Sequence, residues 1–219
     1  MCCLAANMRK EKITTGEYYH IYNRAVDKQA IFHDRFDYSR FLFLILYFQS
    51  EILFKNIFRY IISYIKSGVF SVPAKHTNEI IKLRSLELTL FCIMPNHFHI
   101  VVKQLKEEGV ALYMHRVLGG YSKFFNHKYK RKGHLFEATY KVVHIENNIQ
   151  LLYLSTYIHR NPRSISKWLG KESLYEWSSY QDCIDKNRFE NLLNYSVIVG
   201  QFPTKKKYYQ YVESSTAKK

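Results

Sequence analysis

Two histidines flank one large apolar residue in His97-Phe98-His99, between a Met94-Pro95-Asn96 turn and the run Ile100-Val101-Val102. Successive side chains on a β-strand point to opposite faces, so His97 and His99 share one face while Phe98 turns to the core. Two imidazoles held side by side on a rigid strand can bind a divalent metal and leave coordination positions for phosphate and water. With one more oxygen ligand such a site suits Mg²⁺ or Mn²⁺, although imidazole also suits zinc. Tyr121 follows on a helical stretch, after Gly119-Gly120, which remove side-chain bulk beside it. A phenolate that attacks phosphorus forms a 5′-phosphotyrosine bond, frees a 3′-hydroxyl and keeps the energy of the cut bond for rejoining. Free tyrosine ionises at about pH 10, so a metal or nearby cations must favour the phenolate. Tyr113 and Tyr129 are rivals on the same segment, and Tyr121 also falls in register with an apolar stripe, as a core tyrosine would.

The charge of the chain points to a polyanion. Its 219 residues hold 33 Lys plus Arg against 18 Asp plus Glu, a net charge of +15, which most simply fits nucleic acid. Arg24, Arg116, Lys123, Lys128, Lys130, Arg131 and Lys132 are the candidate phosphate contacts, each able to add salt-dependent affinity. The 19 Tyr and 15 Phe are mostly core material, with some free to stack on unpaired bases. Together, metal ligands, a tyrosine and strong basicity describe an enzyme that cuts DNA.

Cys2, Cys3, Cys92 and Cys183 are spaced neither as a disulfide framework nor as a paired-thiolate zinc site, which fits a reducing cytoplasm. Met1 to Asn7 is too short and too weakly apolar for a signal peptide, and Met8 is an alternative start. The most apolar stretch, Phe41 to Ser50, falls short of the roughly 20 residues that span a bilayer. No membrane partner is expected.

The elements that must position these groups follow from pattern. Gly16 to Arg24 reads as a first strand. Asp37 is placed to cap a helix from Tyr38 through the 40s, with a second helix to Lys66 and a loop or short inserted element over 67–84. Leu86 to Ile93 and His97 to Lys103 form a hairpin across Pro95-Asn96. Apolar residues from Val110 to Phe125 recur at helical spacing over Glu108 to His127. Phe136 to Ile145 reads as the last strand, and Asn147 or Asn148 caps a helix that stops before Pro162. From Thr204 onward, Lys205-Lys206-Lys207 and Lys218-Lys219 read as a mobile basic tail. The order β-α-β-β-α-β is that of an α+β, ferredoxin-like antiparallel sheet, here with extra C-terminal helices. Residues 1–15 form an N-terminal extension, 16–182 the catalytic domain with an insertion around 50–84, and 183–219 a C-terminal extension.

These residues bring a family into view. Met94-Pro95-Asn96-His97-Phe98-His99 resembles the metal motif of the single-tyrosine transposases of the HUH endonuclease class, most closely the REP-associated tyrosine transposase branch. His20-Ile21-Tyr22-Asn23-Arg24 is similar to that family's opening strand. Tyr121-Ser122-Lys123-Phe124-Phe125-Asn126 and Arg131-Lys132-Gly133-His134-Leu135-Phe136-Glu137 resemble its tyrosine helix and the turn after it. Tyr157-Ile158-His159-Arg160-Asn161-Pro162 and Trp177-Ser178-Ser179-Tyr180 resemble its closing signatures, so the likeness spans roughly residues 16–182.

The resemblance implies a divalent metal held by His97 and His99, with Tyr121 as nucleophile. It also implies cleavage and joining of single-stranded, often hairpin-bearing, DNA. In the related insertion-sequence enzymes a Gln one helical turn after the tyrosine completes the metal site, and Phe125 occupies that place here. Asn126, rotated about 100° around the helix from it, and Glu137 are the candidate third ligands. Relatives occur as monomers and as dimers, so a homodimer stays open. Two other readings stand beside this one: a catalytically silent DNA-binding or regulatory protein on the same fold, and a replication or mobilisation initiator. Retention of both histidines and the tyrosine favours the enzyme, and initiators usually carry further domains.

Overall fold

The computed structural model describes residues 13–52 and 56–215. The expectations for Cys2, Cys3, the start at Met8 and the terminal Lys218-Lys219 fall outside those residues. Strands β1 (Tyr18–Arg24), β2 (Leu86–Met94), β3 (His97–Gln104) and β4 (Lys141–Ile145) form one sheet in the order β2-β3-β1-β4, with every neighbouring pair antiparallel. Helix α1 (Arg35–Tyr47) connects β1 to β2 through α2 (Ile57–Ser67) and α3 (Ala74–Leu83), and α4 (Gly109–Lys128) connects β3 to β4. This is the expected α+β ferredoxin-like sheet. Helix α5 (Asn148–Arg160), α6 (Tyr180–Ile184), α7 (Ser196–Val199) and α8 (Lys205–Ser214) follow.

The β2–β3 hairpin is the backbone of the molecule. All nine residues of β2 are buried, Glu87 and Thr89 among them, with Glu87 paired to Arg84. The Pro95-Asn96 turn is anchored from the β1–α1 connection. Ile31 N–H and Phe32 N–H donate to the Pro95 carbonyl, Ala25 N–H to the Asn96 carbonyl, and Asn96 Nδ2 to the Lys28 carbonyl at 2.8 Å. In register, His99 lies between Tyr22 and Cys92, and His97 between Arg24 and Met94. These six share a face. Phe98 and Ile100 turn the other way, where Phe98 meets Phe41 of α1 at a ring separation of 4.9 Å. Helices α1 and α4 therefore cover the Phe98 face, and α5 crosses the histidine face.

Several expectations are corrected. Asp34, not Asp37, caps α1, accepting from Asp37 N–H at 3.0 Å, because Asp37 stands at the third helical position and its carboxylate reaches back to His33 N–H at 3.0 Å. The stretch 74–83 is a helix, with Thr77 and Ile80 buried one turn apart from each other's layer. Strand β4 is shorter than Phe136 to Ile145. Phe136 makes only an isolated bridge to Ala25, and Ala138 at φ 24° breaks the extended chain before Lys141. The basic tail is largely α8. Thr204 caps it by accepting from Lys207 N–H at 3.2 Å, and Tyr208 and Val212, at i and i+4, are fully buried. The three lysines occupy its first turn while its apolar stripe holds it down.

Asp37 is fully buried, accepting from His33 N–H, from Tyr129 hydroxyl at 2.7 Å and from Lys128 Nζ at 2.6 Å. Asp37→Ala strands three donors around one hole and is expected to cost about 3 kcal/mol in urea unfolding. A loss below about 1 kcal/mol would show that this cluster does not tie α1 to α4.

Candidate active site

The two histidines are 8% and 5% exposed, with rings 5.2 Å apart and mutually perpendicular. His97 has polar contacts at both ring nitrogens, and His99 has one at Nδ1. His97 Nδ1 lies 2.6 Å from Asn96 Oδ1, an acceptor, so Nδ1 carries the proton. A neutral His97 then turns the lone pair of Nε2 toward Asn161 Oδ1, 3.2 Å away. Among the described residues the other end of the same amide, Asn161 Nδ2, is buried without a partner. Toward Nε2 the amide can present its oxygen as a second electron-pair donor or, turned over, its Nδ2 as a hydrogen-bond donor. His99 Nδ1 meets His20 Nε2 at 2.9 Å. Burial pushes the His20 imidazole down to about 4, so His20 is neutral near pH 7.

Helix α5 brings the other half of the site. Asn147 caps it, accepting from Gln150 N–H at 2.9 Å, and Pro162 turns it into a short 3₁₀ segment over Asn161–Ser164. Tyr157 and Asn161 stand four residues apart and so project from one face. The Tyr157 ring lies 5.4 Å from that of His99, edge to face. A cleft of about 540 Å³ joins Tyr157, His97 and His99 to Tyr22, Arg24, Glu137 and Lys141. Arg24 and Lys141 are exposed there, with Lys141 Nζ 5.8 Å from the centre of the Tyr22 ring. His159 locks α5 in place. It is fully buried, with Nε2 at 3.1 Å from Ser179 Oγ and Nδ1 at 2.9 Å from Tyr208 hydroxyl. Its burial lowers its imidazole to about 3.

The structure brings His97, His99, Glu137 and Arg24 together and leaves other expected residues elsewhere. Tyr121 is the main correction. It is fully buried on the Phe98 side of the sheet, packed on Phe32 and Phe41 at ring separations of 5.0 and 5.2 Å. Its hydroxyl donates to the Ile31 carbonyl at 2.6 Å, and burial, with Asp37 nearby, raises its ionisation well above the ordinary tyrosine range. The sheet separates it from both histidines. Asn126 also lies on α4, and its Nδ2 donates to the Gly133 carbonyl at 3.0 Å, so it is no ligand to His97 or His99. Arg116 is structural. It donates to the Ser50 and Ile52 carbonyls and stacks over Phe48 at 4.2 Å. Lys128 pairs with Asp34 and Asp37, and Arg131 donates to the His134 carbonyl at 3.0 Å. Lys123, Lys130 and Lys132 are exposed. Tyr157, Asn161 and His20 were legible only as parts of signatures; the overlooked signal was a carboxamide one helical turn after Tyr157.

Among the described residues no cluster of three His, Cys, Asp or Glu side chains is placed to hold a metal. No helix among them is long and apolar enough to cross a membrane.

The family described as "Transposase IS200 like" matches residues 48–161, a span running through the β2–β3 hairpin to Asn161. A search of curated proteins finds no match. Among solved structures, a REP-associated tyrosine transposase bound to a REP hairpin superposes with a TM-score of 0.54 at 10% identity, covering 84% of this chain and 88% of that one. At that identity the likeness concerns the fold. The family match covers more than half of the chain, which therefore belongs to the IS200-like transposases and is a transposase-type DNA nuclease and strand transferase.

Proposed function

We propose that this transposase cleaves and rejoins single-stranded, hairpin-bearing DNA through a covalent bond to Tyr157. The observation that carries the reading is the placement of Tyr157 against His99 in the cleft, with Asn161, one turn further on at the end of α5, against His97. The ligand set fits a divalent ion: His97 Nε2 faces Asn161 Oδ1, and His99 has its Nδ1 occupied by His20. His97, His99 and Asn161 would hold Mg²⁺ or Mn²⁺, with Glu137 the other oxygen donor in the cleft. When bound, such an ion draws charge from the oxygens of the scissile phosphate.

The remaining steps belong to the chain's own groups. Tyr157 is half-buried and opens on the cleft, so its hydroxyl can release a proton to solvent. The phenolate oxygen attacks phosphorus, and the bond from phosphorus to the 3′ oxygen breaks. The products are a 5′-phosphotyrosine and a strand ending in a 3′-hydroxyl. In the second step an incoming 3′-hydroxyl attacks the same phosphorus and Tyr157 leaves as phenolate. One phosphodiester is lost and one formed, so no nucleotide cofactor is required. Arg24 and Lys141, exposed at the cleft, are suited to the flanking phosphates. The exposed Lys123, Lys130 and Lys132 lie on α4 and its following turn, and we assign them to contacts with the rest of the DNA. The REP hairpin carried by the structurally similar transposase supports hairpin DNA as the substrate class.

Incubation with Mn²⁺ and labelled single-stranded hairpin DNA is expected to give a covalent adduct that survives denaturing electrophoresis. Tyr157→Phe should reduce the adduct by at least about 100-fold, while Tyr121→Phe, if folded, should retain it. An adduct that persists in Tyr157→Phe and vanishes in Tyr121→Phe would return the nucleophile to α4. No adduct from wild type on any hairpin would favour a binding-only protein.

Asn161→Ala should weaken Mn²⁺ binding by roughly tenfold or more, and Asn161→Asp should preserve it. Asn126→Ala should leave it unchanged. Titration of free Mn²⁺ by electron paramagnetic resonance reads all three, and equal affinity in Asn161→Ala would remove Asn161 from the ligand set.

A further inference from the structure

We propose that His20 is a positioning residue that sets which nitrogen of His99 carries the proton, so that Nε2 can offer its lone pair to the cleft; this rests on the reading of His99 as a metal ligand. His20 sits on β1, 8% exposed, opposite Val101 in register. Its side chain reaches diagonally to His99, with Nε2 2.9 Å from His99 Nδ1. The two rings lie 21° from parallel. Tyr22 stacks on both, at 4.9 Å from His20 and 5.7 Å from His99.

Two imidazole nitrogens in hydrogen-bond contact share one proton. If His20 Nε2 holds it, His99 Nδ1 accepts, and a neutral His99 carries its own proton on Nε2, which removes the lone pair that a metal needs. If His99 Nδ1 holds it, His20 Nε2 accepts, and His99 Nε2 presents its lone pair to the cleft. His20 then carries its single proton on Nδ1. Metal-binding histidines commonly donate their second nitrogen to a carboxylate, a carbonyl or water, which sets the tautomer and ring orientation. We assign that place to His20, buried and in hydrogen-bond contact with His99 Nδ1. His20 is not itself a third ligand, because its Nε2 is directed at the back of His99 rather than at the His97–Asn161 contact.

The test pairs His20→Gln, whose side-chain oxygen can accept from His99 Nδ1, with His20→Leu, which has similar bulk and no acceptor. Both are made in the full chain and checked for folding by circular dichroism. Mn²⁺ affinity without DNA should fall 10- to 100-fold in His20→Leu and stay within about threefold of wild type in His20→Gln. A purely packing role would affect the two alike. Nitrogen-15 NMR of the metal-free protein should show His99 protonated at Nδ1 in wild type and His20→Gln, and should lose that preference in His20→Leu. Wild-type His99 protonated at Nε2, or unchanged Mn²⁺ affinity in His20→Leu, overturns the proposal. A wild type that binds no Mn²⁺ yet keeps the Nδ1 tautomer overturns the metal reading and leaves His20 setting the tautomer. If His20→Leu does not fold, the wild-type tautomer together with His20→Gln affinity still decides.

Discussion

Strand β3 partitions the molecule. Its side chains alternate, so moving one residue from His97 to Phe98 crosses from the cleft to packed hydrocarbon. The sheet between those faces is a continuous, hydrogen-bonded wall three strands wide around β3, and no rotamer carries a side chain through it. Whatever is to react beside His97 and His99 must arrive from the α5 side. Tyr121 stands on the other side with its hydroxyl committed to Ile31. Charging that oxygen in place would set a phenolate among Phe32, Phe41 and Phe125, where desolvation opposes ionisation.

The wall makes the position of α5 decisive, and much of the C-terminal region serves to fix it. His159 bridges Ser179 and Tyr208. Ser179 in turn binds β2, its N–H and hydroxyl both donating to the Phe91 carbonyl. The same segment covers the outer edge of the sheet, where Cys92 bridges to Ser178 and an unpaired strand would otherwise be open. Helix α8 thus reaches the active face through one buried imidazole. His159 lies two residues from Tyr157 and two from Asn161, so the opposite, buried side of α5 is anchored within one turn of the groups that face the cleft.

Local pattern in the chain was enough for the hairpin, the shared face of His97 and His99, the long helix after β3 and the order of elements along the chain. Each depends on residues near one another in sequence and on periods of two or 3.6. The choice of tyrosine was different in kind, because it turns on which face of the sheet each helix covers. That information was partly present. Phe98 was read as facing the core, and both crossover helices of a ferredoxin-like fold pack against one face, so a helix in the crossover position must meet Phe98 and not His97. Tyr157, on the helix after the last strand, had no such obligation. The role of His20 was hidden by a diagonal contact between strands whose register no local pattern specifies. Helix α8 was masked by Lys205-Lys206-Lys207, which made its first turn look solvated although Tyr208 and Val212 follow at core spacing.

The chemistry of the proposed ligands also accounts for the charge around them. Two neutral imidazoles and a neutral amide would donate electron pairs without cancelling the charge of a divalent ion, and so would leave both positive charges to act on the substrate phosphate. Carboxylate ligands would hold an ion more tightly and blunt that field. A site built this way has weak electrostatic claim on its metal and strong claim on a phosphate. The arrangement therefore gains most from ligands fixed in advance, His97 by Asn96, His99 by His20 and Asn161 by the end of α5. Arg24 and Lys141 at the cleft, against the single carboxylate of Glu137, extend the same sign outward. The net charge of +15 carries the same sign over the whole chain and favours a polyanion as partner.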